Sequence, residues 1–236
     1  MAQVRFIFLL FSFGLLAACS GTYHAYKTMY EVAAKSVEDV GLTFDTVVSA
    51  KYDYLYVRLA EQGRVALALR YIEQGQLKWI SADNNMLITR GGRIVRTLGL
   101  DNDLIHLTNQ TADPVLEPFD IVPTSTWLRL ADWQQGEYGY QIRSQFVLEH
   151  GHTLSFFGHA LPVIKVIETV RYDNDASFVR FDDKWQNIFW LDAKTGTVLK
   201  TVQQLQPGAD VLELTFITEV ARRLIALGIT VNPEAI

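Results

Sequence analysis

The sequence predicts a mainly β fold, built either as an antiparallel two-layer sandwich or as a curved partial barrel, with short helices near the N-terminus and the C-terminus. Two observations predict this class. Apolar and polar residues alternate along much of the chain, and turn-forming residues recur at a spacing of about ten residues. Alternation places one face of each strand against a core, and closely spaced turns favour hairpins. We therefore expect one β-rich domain from residue 23 to residue 236.

The first element of the chain is an apolar run over residues 6–16, which follows Arg5 and ends in two alanines and Cys19. A run of roughly 10–15 residues has the length of a signal-peptide core and is too short to span a membrane. Cys19 is the chain's single cysteine, and it stands where a bacterial lipoprotein signal places its acylated residue. We expect residues 1–18 to be removed and Cys19 to carry a covalent N-acyl diacylglycerol, with no other cofactor.

The position after this cysteine bears on localisation. Ser20 stands where an inner-membrane retention signal usually places Asp, so by resemblance to the lipoprotein sorting rule we expect a lipid anchor in the outer membrane, in either leaflet. Residues 19–22 would form a short tether. A helix is predicted next, ended by Gly41, because apolar residues recur at steps of three and four: Tyr26, Met29, Tyr30, Ala33, Val37 and Val40.

Strands are predicted from residue 51 onward, where the period changes to two. The predicted strands cover residues 52–59, 65–71, 77–80, 138–148, 163–172, 178–181, 188–191 and 198–205, with an irregular, proline-containing connection over 109–126. Gly91 and Gly92 tolerate the positive φ of a two-residue turn, so they predict a hairpin in which Arg90 lies opposite Arg93.

The last predicted element is a helix near the C-terminus, containing Val220, Ala221, Leu224 and Ile225. Asp210 and Glu213 have the spacing of a capping box that would begin it. Residues 211–216 fit a further strand equally well.

The charge balance is mildly acidic, with 21 Lys and Arg against 26 Asp and Glu and a net charge of −5. Proteins that bind nucleic acid rely on cationic side chains to neutralise phosphates. Since the chain has no basic block, we expect no nucleic-acid partner.

Chemical motifs are sparse, and we expect neither catalytic residues nor a metal site. His150 and His152 would share one face of a strand and, with His159, are the best candidate metal ligands, although solvated histidines at a hairpin tip explain them more simply. Two carboxylate pairs, Asp182 with Asp183 and Asp173 with Asp175, have the residue types of glycoside cleavage. Acidic residues in polar turns are the commoner case.

Tryptophans are the most suggestive residues for a polymer-binding surface, because an indole ring stacks on a sugar ring as well as it fills a core. The chain has five, and most are expected in the core. We select Trp127, Trp133 and Trp185 as those to test for exposure, since charged residues flank them.

Two segments carry a resemblance to a known family. Residues 86–104, around the Arg90-Gly91-Gly92-Arg93 turn, and residues 189–200, which contain Asp192-Ala-Lys-Thr-Gly196, resemble the YjbF/GfcB-type lipoproteins encoded with group 4 capsule and related exopolysaccharide genes. The resemblance implies an outer-membrane lipoprotein that assists capsule or exopolysaccharide production and export, without catalytic activity. Its implied partners are the polysaccharide or export-machinery proteins of the same pathway.

The matching segment also supplies a candidate interaction surface, which consists of Arg90, Arg93, Arg96, Thr97, Gly99, Asp101 and Asp103. Guanidinium groups on one hairpin would engage acidic sugars or a partner's carboxylates through paired hydrogen bonds. The simpler interpretation is a solvated hairpin end, with Arg96 on the other face beside an acidic residue.

Three classes of function therefore stay open at this point: a non-enzymatic assembly or export factor, which the resemblance favours; a lipid or lipoprotein carrier or sensor with an apolar cavity inside a curved sheet; and a polysaccharide-modifying enzyme. The sequence leaves the oligomeric state open.

Overall fold

The computed structural model describes residues 39–173 and 184–229. The predicted signal peptide, Cys19, the apolar stripe up to Val37, the strand predicted over 178–181, and Asp175, Asp182 and Asp183 lie outside the described residues. Among the residues that are described, no helix has the length and apolar character needed to cross a membrane.

The described chain is mainly β, as predicted. A short helix, α1 (Phe44–Ser49), leads into the first strands, and a second helix, α2 (Ile217–Ala226), follows the last. The strands are β1 (Tyr54–Leu59), β2 (Val65–Glu73), β3 (Gln76–Ile80), β4 (Met86–Arg90), β5 (Arg93–Leu98), β6 (Leu104–Leu107), β7 (Thr126–Trp133), β8 (Glu137–Phe156), β9 (His159–Tyr172), β10 (Lys184–Asp192), β11 (Val198–Gln204) and β12 (Val211–Thr215). Three 3₁₀ turns, Gln110–Ala112, Pro114–Leu116 and Pro118–Asp120, fill the predicted irregular connection.

All these strands belong to one antiparallel sheet of twelve, in the order β5-β4-β3-β2-β1-β12-β11-β10-β9-β8-β7-β6. The chain runs outward from β1 to β5, continues at the opposite edge with β6, and returns to β12, which pairs with β1. The two edge strands, β5 and β6, contact each other. The sheet is therefore a nearly closed barrel, the more curved of the two predicted forms.

Two hydrophobic clusters hold the fold together. The larger one lies inside the barrel and includes Trp79, Trp127, Trp133 and Phe189. The second lies outside the wall, where α1 and α2 pack against β1, β9 and β11. Here the far end of the β8–β9 hairpin contacts α1 through Phe157 and Phe44, whose ring centroids are 5.4 Å apart.

The structure decides between two open alternatives at residues 210–216 and corrects one local prediction. Asp210 and Glu213 do not cap a helix, because residues 211–215 form β12, where Glu213 pairs with Arg58 and α2 begins only at Ile217.

Residues 150–152 do not form the predicted hairpin tip. The β8–β9 turn lies at Phe157 and Gly158, which have φ values of 48° and 76°, and the glycine between the two histidines belongs to a bulge between Glu149 and His152.

Candidate functional site

A cluster of charged side chains lies inside the barrel, centred on Arg93 of β5 and Glu168 of β9. Arg93 Nη1 donates to Glu168 Oε2 at 2.7 Å, and Arg93 also pairs with Asp113 through Nε and Nη2. From β7, Arg129 Nη2 reaches the second oxygen of Glu168 at 3.3 Å. Each of these four side chains is at least 95% buried relative to full exposure. The cluster joins three strands and the 108–125 connection across the interior.

Polar neighbours complete the hydrogen bonding of the Glu168 carboxylate. Asn187 Nδ2 donates to Oε2 at 2.8 Å, and the Ser144 hydroxyl donates to Oε1. Arg129 Nη1 in turn donates to Ser144 Oγ at 2.7 Å. Since a buried carboxylate is stable only when its oxygens are paired, these contacts explain how Glu168 remains charged in the interior.

Electrostatics within the cluster follow from its balance of two cations and two anions. Burial disfavours the charged form of Glu168, but the fields of Arg93 and Arg129 outweigh it and lower the pKa of that carboxyl to about 2. Burial also opposes the charge on Arg93, yet the attraction of Asp113 and Glu168 raises its pKa above the ordinary value. The arrangement thus holds the Glu168 carboxylate in its charged form between two guanidinium groups.

A second polar contact joins the two edges of the sheet. The hydroxyl of Thr97 on β5 donates to Asp103 Oδ1 at 2.7 Å and accepts from the backbone N–H of Leu104 on β6 at 2.9 Å. Asp103 also accepts from the backbone N–H groups of Gly99 and Leu100, at 2.8 and 3.0 Å. We call Thr97 and Asp103 the seam pair, because they connect the strands that close the barrel.

The structure divides the predicted interaction surface among different places. Six of its residues are buried and therefore do not form part of an exposed surface: Arg93, Thr97, Asp103, Trp127, Trp133 and Trp185. Closure of the barrel encloses every side chain on the inner face, whatever its polarity. Arg90 remains at the hairpin end, where Nη1 donates to the carbonyl of Gln74 at 3.0 Å, and Arg96 is exposed on the outer wall.

The three selected tryptophans have structural contacts in the interior. The guanidinium carbons of Arg129 and Arg93 lie 3.9 and 4.6 Å from the centroid of the Trp127 ring, so this indole adds cation–π contacts to the charge cluster. Trp133 packs edge-on against Tyr140 at 6.0 Å. Trp185 packs against Tyr172 at 5.3 Å.

The sequence carried a signal for the interior charges that the prediction missed. In β7, Arg129 occupies the same alternating face as Trp127 and Trp133, and in β9 Glu168 lies between Val166 and Val170 on the buried face. A charged residue in phase with apolar ones points into the core. One such arginine and one such glutamate predict a buried pair.

The two remaining residues of the predicted surface, Gly99 and Asp101, line a pocket at the end of the barrel opposite the Gly91–Gly92 turn. We call it the end pocket, and its volume is about 420 Å³. The turns after β5, β7 and β11 surround it, together with the end of β1. Its lining is Leu59, Gln62, Gly99, Leu100, Asp101, Asn102, Gln135, Leu205, Gln206, Gly208, Ala209, Asp210 and Leu212.

The wall of the end pocket is held from both sides. Asp103 binds two backbone N–H groups of the turn after β5, as described above. From the turn after β7, the Gln135 backbone N–H donates to Asn102 Oδ1 and its side-chain amide donates to the carbonyl of Asp101, each at 3.0 Å. These bonds hold the turn after β5 in place on this side of the pocket.

The candidate metal ligands are not brought together. His152 Nε2 lies 3.1 Å from Glu149 Oε2, which also accepts from Lys165 Nζ at 3.1 Å. Within residues 39–173 and 184–229, no three His, Cys, Asp or Glu side chains are grouped as metal ligands. Asp173, a member of one proposed carboxylate pair, forms a two-point ion pair with Arg143.

The barrel interior is filled at the charge cluster. The space between Arg93, Arg129, Trp133 and Trp185 has a volume of about 20 Å³, which is room for about one water molecule. An acyl chain does not fit there. At the charge cluster, therefore, the interior has no room for the apolar cavity expected of a lipid carrier.

Comparison with known proteins gives consistent matches. The family model described as "Group 4 capsule polysaccharide lipoprotein gfcB, YjbF" matches residues 26–217. The uncharacterized lipoprotein GfcB of Escherichia coli (strain K12) is 31% identical over 204 residues, covering 86% of this chain and 92% of the relative. The uncharacterized lipoprotein YjbF of the same strain is 31% identical over 199 residues, covering 83% and 88%.

A solved structure is similar in fold as well. The crystal structure of the hypothetical lipoprotein YmcC from Escherichia coli (K12) matches with a TM-score of 0.65 and 31% sequence identity, covering 80% of this chain and 93% of that one. Together these matches confirm the resemblance inferred from residues 86–104 and 189–200.

Proposed function

Because this chain belongs to the group 4 capsule polysaccharide lipoprotein family, we propose that it is a lipid-anchored, non-catalytic factor that assists capsule or exopolysaccharide production and export at the outer membrane. The observation that carries the proposal is the extent of the family match. Residues 26–217 include every strand of the barrel, so the whole described sheet is shared with the family.

Three buried carboxylates, those of Glu168, Asp113 and Asp192, support a non-catalytic role. Glu168 and Asp113 are held in buried ion pairs, and Asp192 accepts from the backbone N–H groups of Lys194 and Thr195 and pairs with Arg223. A general acid or base needs a proton that it can exchange in contact with substrate. These carboxylates instead use their oxygens to hold the fold together.

The lipid anchor is the part of the proposal that Cys19 supports. An acylated Cys19 would keep the barrel at a membrane surface, where a polymer is passed outward. Ser20 favours sorting to the outer membrane by the rule stated above. Two variants separate acylation from sorting. Cys19→Ser removes the acylation site, and Ser20→Asp keeps that site but introduces the residue of inner-membrane retention.

The proposal is tested in a deletion strain complemented with the natural chain, Cys19→Ser or Ser20→Asp, each brought to equal protein level by immunoblot. Extracellular polysaccharide and polymer retained in the periplasm are both measured. We expect the deletion to lose extracellular polymer and accumulate it inside, with rescue by the natural chain alone. Unchanged extracellular polysaccharide in the deletion strain would refute the proposed function, and full rescue by Ser20→Asp would refute the outer-membrane placement.

A further inference from the structure

We propose that the end pocket binds neutral, hydroxyl-rich sugar units of a polysaccharide, and that it selects against acidic ones. This inference rests on the proposed function, since it names the chemistry by which the protein would contact its polymer. It differs from the earlier expectation that arginines of the hairpin engage acidic sugars.

The size and position of the end pocket suit a segment of polymer. Its volume of about 420 Å³ lies within the range of roughly 300–1,000 Å³ typical of small-molecule sites. It opens at the end of the barrel, among the turns, where a long chain has access from solvent. A polymer therefore contacts it through one or a few units without entering the filled interior.

The lining offers the groups that a sugar ring needs. Side-chain amides of Gln62, Asn102, Gln135 and Gln206 line the pocket, and an amide both donates and accepts hydrogen bonds, as a hydroxyl does. The Nδ2 of Asn102 and the Oε1 of Gln135 take no part in the bonds that hold the wall. Three half-buried leucines of the same lining, Leu59, Leu100 and Leu205, offer apolar surface to the C–H face of a ring.

The charge of the lining decides between neutral and acidic sugars. Asp101 and Asp210 are exposed and line the pocket. An ionised carboxylate only accepts hydrogen bonds, so it requires donors such as sugar hydroxyls and repels a uronate carboxylate. None of the described lining residues is Lys or Arg. The hairpin end that carries Arg90 was the site predicted to bind acidic sugars. It lies at the other end of the six-residue strand β5, about 20 Å away along the strand.

The wall of the pocket is rigid enough for selective binding. Asp103 and Gln135 fix the turn that carries Asp101 through backbone bonds of 2.8 to 3.0 Å. Within the described residues, the Asp101 carboxylate itself accepts none of these bonds. The backbone that carries Asp101 is therefore held in place, which reduces the conformational freedom lost on binding.

The test measures binding of the purified, lipidated full chain in detergent micelles to surface polysaccharide isolated from the producing cells. The polymer is used in its native form and after carboxyl reduction, which converts uronic acids into neutral hexoses. We expect the reduced polymer to bind more tightly than a native form that contains uronic acids, and equal binding of these two forms would contradict the selection against acidic units. Loss of binding on reduction, or failure of the reduced polymer to bind, would overturn the inference.

Three variants locate the binding. Asp101→Asn combined with Asp210→Asn should weaken binding of the reduced polymer about tenfold, because charge-assisted hydrogen bonds are replaced by neutral ones. Ala209→Phe should block it by filling the pocket, while the Gln204 bond to the Ala209 carbonyl remains possible. Asp83→Asn is the matched control, since Asp83 is an exposed turn residue outside the lining. Unchanged binding in a folded Ala209→Phe protein contradicts the inference.

The same variants distinguish failure of this inference from failure of the proposed function. If the deletion strain loses extracellular polymer but both pocket variants restore it fully, the export role stands and the sugar site is wrong. If the variants fail in cells while the natural protein binds no polymer in vitro, the sugar assignment is wrong and the pocket contacts another protein. If the deletion has no effect on polysaccharide, the proposed function itself fails.

Discussion

Arg93 and Glu168 lie 75 positions apart in the chain and form an ion pair inside the barrel, with 2.7 Å between Nη1 and Oε2. They stand on strands from the two halves of the sheet, β5 and β9. Both side chains are almost completely buried, at 3% and 0% exposure. The pair therefore links the first half of the sheet to the second half through the interior.

Glu168→Gln should destabilise the fold by about 3–5 kcal/mol, because it leaves Arg93 and Arg129 without one of their two buried anions. Urea unfolding of the purified protein measures this change. Glu73→Gln is the matched control: it removes the same charge from an ion pair with Lys78 in which the Glu73 side chain is 61% exposed, and it should cost less than about 1 kcal/mol. Equal losses for the two variants would contradict a special role for the interior pair.

Acid should remove the contribution of Glu168 in a defined range. Its pKa in the folded protein is lowered to about 2, against about 4.3 for an unperturbed Glu. A depressed pKa stabilises the fold fully above the unfolded value, and this stabilisation is lost as the pH falls from about 4.3 towards 2. The free energy of unfolding, measured from pH 5 to pH 2, should fall more steeply for the natural chain than for Glu168→Gln. Parallel curves would show that Glu168 does not titrate in this way.

The seam pair predicts a loss of stability at the edge of the sheet. Thr97→Val keeps the shape of the side chain but removes the donor to Asp103 and the acceptor of the Leu104 N–H, so it should cost about 1–3 kcal/mol. Hydrogen exchange should show faster exchange at the Leu104 amide. Thr126→Val, at an exposed position of β7, is the control and should change stability little. An unchanged exchange rate at the Leu104 amide would contradict the stabilising role of the seam pair.

The Gly91–Gly92 turn gives a prediction about packing. A Cβ at Gly92 would lie 2.5 Å from Val198 Cγ1, and its φ is +84°. Gly136 has a similar φ of +95° with nothing within 4 Å of a Cβ. Gly92→Ala should therefore be about 1–3 kcal/mol less stable than Gly136→Ala, since both carry the backbone strain but only one overpacks. Thermal and urea unfolding of the two variants measure the difference, and equal stabilities would argue against close packing of the hairpin on β11.

Local elements were largely predictable because their signals are local. Alternation identified β1 closely, and two adjacent glycines identified the β4–β5 turn with Arg90 opposite Arg93. Residues 210–216 show the limit of such signals, because their sequence fits both a helix cap and a strand. The spacing of Asp210 and Glu213 imitated a helix cap, but Leu212 and Leu214 are buried as alternate residues of β12, and pairing with β1 and β11 decided in favour of the strand.

The sequence by itself determined the β class, most strands and turns, and the resemblance to the family. Periodicity, turn residues and motifs each depend on residues that are close together in the chain. The tertiary structure alone decided that β5 and β6 meet. Because of that closure, Arg93, Thr97, Asp103 and three tryptophans lie in the interior and not on the predicted surface, whereas Asp101 lies at the end pocket. The physical reason is that burial depends on which strands become neighbours, and a charge becomes stable inside only when a distant strand supplies its counter-charge.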